Sequence, residues 1–391
     1  MASQRKVWYA PHRDQAYGKE EKDAVLKCLD DGWLAGFGPY SIEFQEKIAA
    51  RFGKKYGLFV NSGSSAILLG LASLRLEKGS EIITPACTFS TTVYPIIEMG
   101  LKPIFCDVEL NKFVPSIEMI TEKITQNTKV ILIPNLIGNK PDWERLREKI
   151  IEMNRTDIIL FEDSADTISE TLSTDISTTS FYASHLITAG GTGGMVMFNN
   201  EEYLKNATCC RDWGRNQFGN SEEMEDRFGS NIDGIPYDAK FLYSFPGYNM
   251  KACEMNAAFG LVQLKRFEHF SLHRRRMIER YFENLVPFLE KFSEKEQPFI
   301  LPDDSIKPNW LAMPLIVKDR LGLLTFLENN NIQTRVCFSG NITRHPMYRE
   351  YLCPFTNSDQ IMAEGCLLGA HHGMNEEDVD YVCGKIMEYY S

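Results

Sequence analysis

The sequence predicts an α/β protein in which helices cover both faces of a mainly parallel central sheet. Short apolar runs that end in turn residues alternate with amphipathic stretches in the first half of the chain, which is typical of buried parallel strands joined by helices. The 391 residues, 43% of them hydrophobic, are enough for one large domain and a smaller one.

The predicted elements follow these runs in chain order. The apolar runs predicted as strands are residues 56–60, 81–85, 102–108, 129–134, 157–161 and 195–198. The amphipathic stretches predicted as helices are residues 64–76, 92–99, 115–124 and 141–153. Because sheets of this kind bind ligands at the carboxyl ends of their strands, we expect the site there.

The second half of the chain predicts a smaller α+β domain. Residues 252–296 are predicted as one long helix, and the basic run at 273–276 (His-Arg-Arg-Arg) as an exposed face of it. We therefore expect a large domain over residues 31–264 and a small C-terminal domain over 265–391. Residues 1–30 are expected to pack with the small domain.

Composition narrows the function classes. The net charge of −11 argues against nucleic acid and anionic membrane surfaces as partners, but it allows a small phosphorylated ligand. No apolar run is long enough to span a bilayer and the N-terminus lacks a signal-peptide core, so a cytoplasmic protein is expected. The ten cysteines are scattered without a C-x-x-C pair, which indicates reduced thiols and no metal site.

His185 is the most informative residue for chemistry. It follows Ser180 and precedes a glycine-rich turn at residues 190–194, where the backbone is expected to approach another group closely. No lysine occurs between Lys149 and Lys205. An imidazole can move a proton near neutral pH but cannot form a stable imine with an aldehyde. The alternative is a histidine that only packs.

Three further patches suit a phosphorylated aromatic ligand. Gly63, Ser64 and Ser65 begin a predicted helix and can direct N–H groups at an anion, unless they serve only as a helix cap. Asp163 ends a predicted strand and can pair with a protonated ring nitrogen, unless it belongs to an ordinary acidic turn. Phe89 can stack on a flat ring, although such a residue is more often core.

The order of these motifs resembles the DegT/DnrJ/EryC1/StrS family of sugar aminotransferases, which depend on pyridoxal phosphate (PLP). The matching segments are residues 61–66, 88–92, 162–165, 180–185 and 247–264. The resemblance covers essentially the whole chain. It implies the fold-type I aminotransferase architecture and a homodimer with shared active sites.

The resemblance also implies roles for individual residues. Gly63, Ser64 and Ser180 would hold the cofactor phosphate, Phe89 would stack on the ring, and Asp163 would pair with the pyridine nitrogen. Asn249 would reach the phosphate of the neighbouring subunit. Asp166, which is also expected at the cofactor, stands where the aminotransferases usually have Gln or His, and Ser65 is expected near the phosphate.

Two departures point to one branch of the family. His185 stands in place of the lysine that forms the Schiff base, and residues 334–346 are similar to the nucleotide-sugar 3-dehydratases. Those enzymes use pyridoxamine phosphate (PMP) and a histidine base to remove the C3 hydroxyl of nucleotide-linked 4-keto-6-deoxyhexoses in 3,6-dideoxysugar biosynthesis. Glutamate is the expected amino donor that restores PMP. Arg335, Asn341 and Arg344 are the expected substrate-binding residues.

Some relatives in that branch carry an iron–sulfur cluster on a cysteine-rich loop after Arg-Asp-Trp-Gly-Arg. Here that motif occupies residues 211–215, and no cysteine follows it before Cys253, so no cluster is expected. Two alternatives remain open: a sugar-nucleotide aminotransferase or isomerase-like relative with untethered PLP, and a non-catalytic relative that binds nucleotide sugars. The presence of Asp163, Phe89 and Ser180 disfavours the second.

Overall fold

A computed structural model describes residues 5–12, 15–215, 223–303 and 309–391. Its central sheet has seven strands: β1 Tyr56–Val60, β2 Glu81–Pro85, β3 Lys102–Cys106, β4 Thr128–Pro134, β5 Ile159–Ser164, β6 Ile176–Ser180 and β7 Gly194–Phe198. They lie in the order β1-β7-β6-β5-β4-β2-β3. Strand β7 runs antiparallel to both of its neighbours, whereas the remaining pairings are parallel. The mainly parallel sheet is thus confirmed.

Helices connect these strands and flank the sheet. They are α1 Lys19–Asp30, α2 Pro39–Arg51, α3 Gly63–Ser73, α4 Ser90–Glu98, α5 Ile117–Thr121, α6 Trp143–Glu152 and α7 Glu201–Arg211. Capping side chains fix several of their starts: Ser62 accepts a hydrogen bond at the beginning of α3, Asp142 at α6 and Asn200 at α7. The four helices predicted between the strands are confirmed, and α5 is shorter than predicted.

Helices cover both faces of the sheet, and successive side chains of a strand point to opposite faces, so the strands are buried on both sides. Ile82 and Val130 pack in the cluster that includes α3, and the next residues, Ile83 and Ile131, pack in the cluster that includes α6. This two-sided burial explains why the strand sequences are continuously apolar rather than alternating.

The predicted helix over residues 252–296 is wrong as a single element. It consists of α9 Glu254–Lys265 and α10 Phe267–Leu289, preceded by α8 Met224–Phe228 and a hairpin of β8 Ser230–Ile232 and β9 Ile235–Tyr237. The break is at Arg266, whose N–H bonds to the carbonyl of Gln263, three residues back, and interrupts the α-helical pattern.

The C-terminal part holds a second, antiparallel sheet in the order β10-β11-β13-β12. Its elements are β10 Phe299–Ile300, β11 Ala312–Val317, α11 Arg320–Asn329, β12 Thr334–Val336, α12 Thr356–Glu364, β13 Gly365–Gly369 and α13 Glu376–Tyr389. Near the N-terminus, Val7 pairs with Ile332 beside β12, whereas α1 packs on α9. The division into domains at residues 30 and 264 stays a prediction.

The basic run at residues 273–276 is only partly exposed, which corrects the expected solvated helix face. Arg275 is exposed and Arg276 pairs with Glu283, but Arg274 is 1% exposed. Arg274 precedes the buried Met277 and Ile278 by three and four residues, so it lies on the inward stripe of α10. Helix phase, rather than local charge, decides its burial.

The structure also describes the state of the cysteines and the apolar character of the helices. All ten cysteines are free, and only Cys253 and Cys353 are exposed. Within the described ranges, no helix has the length and apolar character needed to cross a membrane.

Candidate active site

A pocket of about 290 Å³ opens at the carboxyl ends of the parallel strands, where the sequence placed the site. It brings together seven of the predicted residues: Gly63, Ser64, Phe89, Asp163, Asp166, Ser180 and His185. They come from the ends of β1, β2, β5 and β6 and the loops that follow, which explains how residues more than 100 positions apart form one cavity.

One end of the pocket is the N-terminus of α3. Ser62 caps this helix by accepting a hydrogen bond from the N–H of Ser65 at 3.1 Å. In the first turn, the N–H groups of Gly63 and Ser64 have no partner within the helix. A helix start of this kind, with the positive end of the helix dipole, can bind an anion at this end of the pocket.

Close packing around this end requires glycine at two positions. A Cβ on Gly63 would lie 2.7 Å from the Cβ of Ser180, and one on Gly194 would overlap the carbonyl of Ser62. The glycine turn before β7 is thus pressed against the loop after β1, and Gly193 donates a hydrogen bond to the carbonyl of Asn61. The predicted close backbone approach is present.

Asp163 lies at the end of β5 and is buried. Its carboxylate accepts hydrogen bonds from the Thr92 hydroxyl at 2.8 Å and from the N–H of Ala165 at 3.2 Å. Burial raises the pKa of Asp163 because no cation among the described residues pairs with it. A protonated ring nitrogen would supply the missing positive partner.

Asp166 is a second buried acid in the same pocket. It accepts a hydrogen bond from the N–H of Ile137 at 2.8 Å, and burial, followed by the nearby charge of Asp163, raises its pKa to about 7. Ile137 holds this N–H in place with a φ of 64°, a conformation that costs free energy for a β-branched residue. Asp166 therefore has one oxygen fixed by the backbone.

His185 faces the same pocket from the loop after β6. Its Nδ1 lies 3.3 Å from the carbonyl oxygen of Ser180. Since a carbonyl can only accept, Nδ1 carries the proton in the neutral ring, and Nε2 is the basic nitrogen. Desolvation lowers the pKa of His185 to about 4, so the imidazole is neutral near pH 7.

Phe89 is the aromatic face of the pocket. It is the N-cap residue of α4 and remains 53% exposed, which is unusual for a large apolar side chain next to a buried strand end. The ring is therefore available to a flat ligand and is not part of the core, the alternative that the sequence had left open.

The other predicted site residues do not line the described pocket. The N–H of Ser65 donates to the hydroxyl of Ser62, and its hydroxyl donates to the side chain of Asn61. Asn249 is exposed, and its backbone forms an isolated antiparallel β-bridge with Asp212. Among the expected substrate residues, Arg335 is exposed above the ring of Tyr9. Both Asn341 and Arg344 bond the carboxylate of Asp359. Their roles in binding cofactor or substrate stay predictions.

Sequence reasoning missed several residues that shape the site. Tyr182, Asn135 and Phe338 line the pocket, and Thr92 supports Asp163. Thr92 belongs to the recognised stretch 88–92 and could have been found there. Arg274 was the least accessible to prediction, because only the tertiary structure brings its guanidinium to the carbonyl of His185.

Taken together, these features fit a phosphorylated pyridine cofactor. The pocket combines a helix start that can bind an anion, an available aromatic face and a buried acid with no cation beside it among the described residues. Among the described lining residues there is no lysine, so nothing there can form an imine with an aldehyde. Residues 216–222, where the sequence argues against an iron–sulfur cluster, lie outside the described part, and that absence stays a prediction.

Comparison with known proteins identifies the class. The model of the DegT/DnrJ/EryC1/StrS aminotransferase family matches residues 15–387, and the chain belongs to this family. A lipopolysaccharide biosynthesis protein, RfbH, of Salmonella typhimurium is 32% identical over 97% of this chain and 91% of its own. The GDP-4-keto-6-deoxy-D-mannose 3-dehydratase of Escherichia coli O55:H7 is 31% identical over 93% of this chain and 95% of its own.

Solved structures agree on the fold. A GDP-4-keto-6-deoxymannose-3-dehydratase with a trapped PLP–glutamate geminal diamine has a TM-score of 0.82 and 27% identity, covering 97% of this chain and 99% of its own. The architecture is that of the fold-type I aminotransferases, with the mainly parallel seven-stranded sheet described above. The resemblance suggested by the sequence motifs is therefore confirmed.

Proposed function

We propose that this enzyme of the PLP aminotransferase fold dehydrates a nucleotide-linked 4-keto-6-deoxyhexose at C3 and uses PMP or PLP as cofactor. The observation that carries the proposal is His185, an imidazole instead of a lysine in the same pocket as the buried Asp163. Such a pocket can bind the cofactor and move protons but cannot tether it. A pocket that cannot tether the cofactor favours elimination over amino transfer. Elimination of the C3 hydroxyl would serve 3,6-dideoxysugar biosynthesis.

The cofactor would be held entirely by noncovalent contacts. The N–H groups of Gly63 and Ser64, with the hydroxyl of Ser180, would bind the phosphate. Phe89 would cover the ring and Asp163 would keep its nitrogen protonated. When bound, PMP supplies an amine that condenses with the sugar ketone and a ring that accepts the negative charge of the deprotonated adduct.

His185 would do the proton work at the reacting atoms. Its Nδ1–H is anchored on the carbonyl of Ser180, so Nε2 is free to accept a proton. The same nitrogen, once protonated, can donate to the departing C3 hydroxyl. Because its low pKa keeps the ring neutral at pH 7, His185 begins each cycle as a base.

The partners follow from the same proposal. The relative from Escherichia coli O55:H7 is named for a GDP-linked 4-keto sugar, and the solved 3-dehydratase holds a PLP–glutamate adduct. We therefore expect a nucleoside-diphosphate sugar as substrate and glutamate as the amino donor that restores PMP. A homodimer, in which Asn249 reaches the partner's phosphate site, is part of the proposal.

A second candidate is amino transfer to a nucleotide sugar with untethered PLP. The observation in its favour is the family itself, whose description is that of aminotransferases. The two reactions differ in product: dehydration leaves a deoxygenated C3, whereas amino transfer leaves an amine at C4. Mass spectrometry of products from a panel of 4-keto-6-deoxy nucleotide sugars, with PMP and glutamate, separates them.

His185→Asn provides the central test. We expect this variant to bind PMP as the wild type does, because Asp163, Phe89 and the α3 N-terminus are unchanged. Dehydration should fall about 10²–10⁴-fold, the usual contribution of a general acid–base group. Cofactor binding is measured by absorbance, and the dehydration product by mass spectrometry.

His185→Lys is the complementary variant. A lysine there can form an imine with PLP, so borohydride reduction should attach the cofactor to residue 185, whereas reduction of the PLP-loaded wild type should leave no pyridoxyl-lysine. If His185→Asn dehydrates the sugar at nearly the wild-type rate, the base is another residue and the proposed mechanism is wrong.

A further inference from the structure

Arg274 is a buried arginine with backbone carbonyls as its hydrogen-bond acceptors. Its guanidinium donates to the carbonyl of Leu311 at 3.0 Å, of Ala370 at 3.1 Å and of His185 at 3.4 Å. Within the described ranges, no carboxylate forms an ion pair with it. Burying a cation without a counter-charge is costly, which argues against Arg274 as a simple packing residue.

The three acceptors come from distant parts of the chain. Leu311 precedes β11, Ala370 follows β13, and His185 belongs to the loop after β6. The planar guanidinium can hold several carbonyls in a fixed geometry, which a lysine ammonium does less well. Arg274 therefore ties the C-terminal sheet to the loop that carries the histidine.

The contacts continue to the other side of the pocket. The N–H of Leu311 donates to the carbonyl of Ile137 at 2.7 Å, and the N–H of Ile137 donates to Asp166 at 2.8 Å. A hydrogen-bonded path thus runs from Asp166 through Ile137, Leu311 and Arg274 to His185. Its two ends are pocket residues, and its middle lies outside the cavity.

We propose that Arg274 is a positioning residue that fixes the backbone of His185 relative to the turn holding Asp166, and so sets the place of the imidazole in the pocket. Its importance for turnover rests on the proposed function. The tie between Arg274 and His185 does not, because both groups belong to the chain itself.

Charge adds to geometry at this position. The positive guanidinium disfavours the imidazolium form and is one cause, after desolvation, of the low pKa of His185. The other titratable groups that the structure describes at the pocket are Tyr182, whose ring lies beside the imidazole, and the lining acids Asp163 and Asp166. Among the described residues that line the pocket or contact His185, Arg274 is the one cation, so its removal should raise the pKa of His185.

The test compares Arg274→Gln and Arg274→Lys with Arg275→Gln, a change of the exposed neighbour on the same helix. Two measurements use cofactor-free protein: the NMR titration of labelled histidine rings, assigned with His185→Asn, and hydrogen exchange of residues 180–194. We expect Arg274→Gln to raise the pKa of His185 and to speed exchange. Arg274→Lys should speed exchange but keep the low pKa, and Arg275→Gln should change neither.

Turnover supplies the third measurement. For Arg274→Gln, kcat should fall about 10²-fold with little change in KM or PMP affinity, since a small misplacement of a catalytic group has such an effect. If the His185 titration and the exchange of residues 180–194 match the wild type in both Arg274 variants, the inference is wrong. If the wild type dehydrates no sugar, the proposed function fails, and the two cofactor-free measurements still decide on Arg274.

Discussion

At the scale of single residues, two acids three positions apart receive different tasks from their surroundings. Asp163 accepts two hydrogen bonds and would face the cationic ring nitrogen, so the bound cofactor favours its charged form. Asp166 accepts one, from Ile137, and its pKa of about 7 leaves much of it protonated at neutral pH. A neutral acid can donate a hydrogen bond, which a carboxylate cannot.

Asp166 makes stability depend on pH in a defined direction. Its pKa is raised on folding, so the unfolded chain holds fewer protons between about pH 4 and 7, and the carboxyl destabilises the fold as pH rises through this window. Asp166→Asn removes that term but can still accept the Ile137 hydrogen bond. We compare the free energy of unfolding of the variant with that of the wild type, both without cofactor. The variant should exceed the wild type by a larger margin at pH 8 than at pH 4.

Chemical denaturation at several pH values between 4 and 8 measures this difference, which should be on the order of a few kcal/mol. Asp157→Asn provides a control, because a hydrogen-bonded ion pair with Arg155 lowers the pKa of this exposed acid to about 2. Its effect should stay nearly constant between pH 5 and 7, where that of Asp166→Asn should grow. A flat difference for Asp166→Asn as well would mean that Asp166 ionises normally.

At the scale of elements, the glycine turn at residues 190–194 and β7 set the shape of the pocket at the N-terminus of α3. Gly194 begins β7 beside the Ser62 carbonyl, so Gly194→Ala should push the α3 N-terminus away. We expect the free energy of unfolding to fall by about 3 kcal/mol. PMP binding should also weaken. Gly384→Ala, in α13 with open space around its Cβ, should instead stabilise by about 0.5–1 kcal/mol. Thermal unfolding and PMP titration measure both, and a Gly194→Ala variant with wild-type PMP affinity would contradict the packing described.

The elements also show what the sequence could and could not reveal. Strands such as β2 and β4 were predicted because they are continuously apolar and two-sided in their burial. Strand β6 was missed because Ile-Ser-Thr-Thr-Ser is polar. Two of its hydroxyls donate hydrogen bonds inside the fold, Ser177 to the buried Glu162 and Thr179 to the carbonyl of Ser164. That compensation depends on a neighbouring strand and leaves no mark in the local pattern.

The site divides along the same physical line. Residues in short motifs after predicted strands, such as Gly63 and Asp163, could be expected to lie together because parallel strands bring their carboxyl ends together. Residues that act through the backbone of a distant segment could not. Arg274 looked like part of an exposed basic run, and Ile137 looked like an ordinary apolar residue after β4.

At the scale of the whole molecule, Asn249 is a predicted cofactor residue that does not line the pocket of its own chain. Asn249 is exposed on a bridge to Asp212, and large exposed side chains lie close by in sequence, among them Phe241 and Tyr243. Exposed aromatic residues in such a group are typical of a protein interface. This arrangement supports the proposal that Asn249 serves the pocket of a second subunit.

Subunit complementation tests that arrangement. His185→Asn and Asn249→Ala are each expected to be nearly inactive as homodimers. In a mixed dimer, the Asn249→Ala subunit supplies an intact His185 and its partner supplies an intact Asn249, so one of the two sites is complete. When the two variants are mixed so that their subunits exchange, dehydration should be restored. The mixed dimers should be about half as active as wild type. If Asn249 acted within its own chain, each site of the mixed dimer would keep one defect. Activity would then stay at the level of the parents, which would refute the shared site.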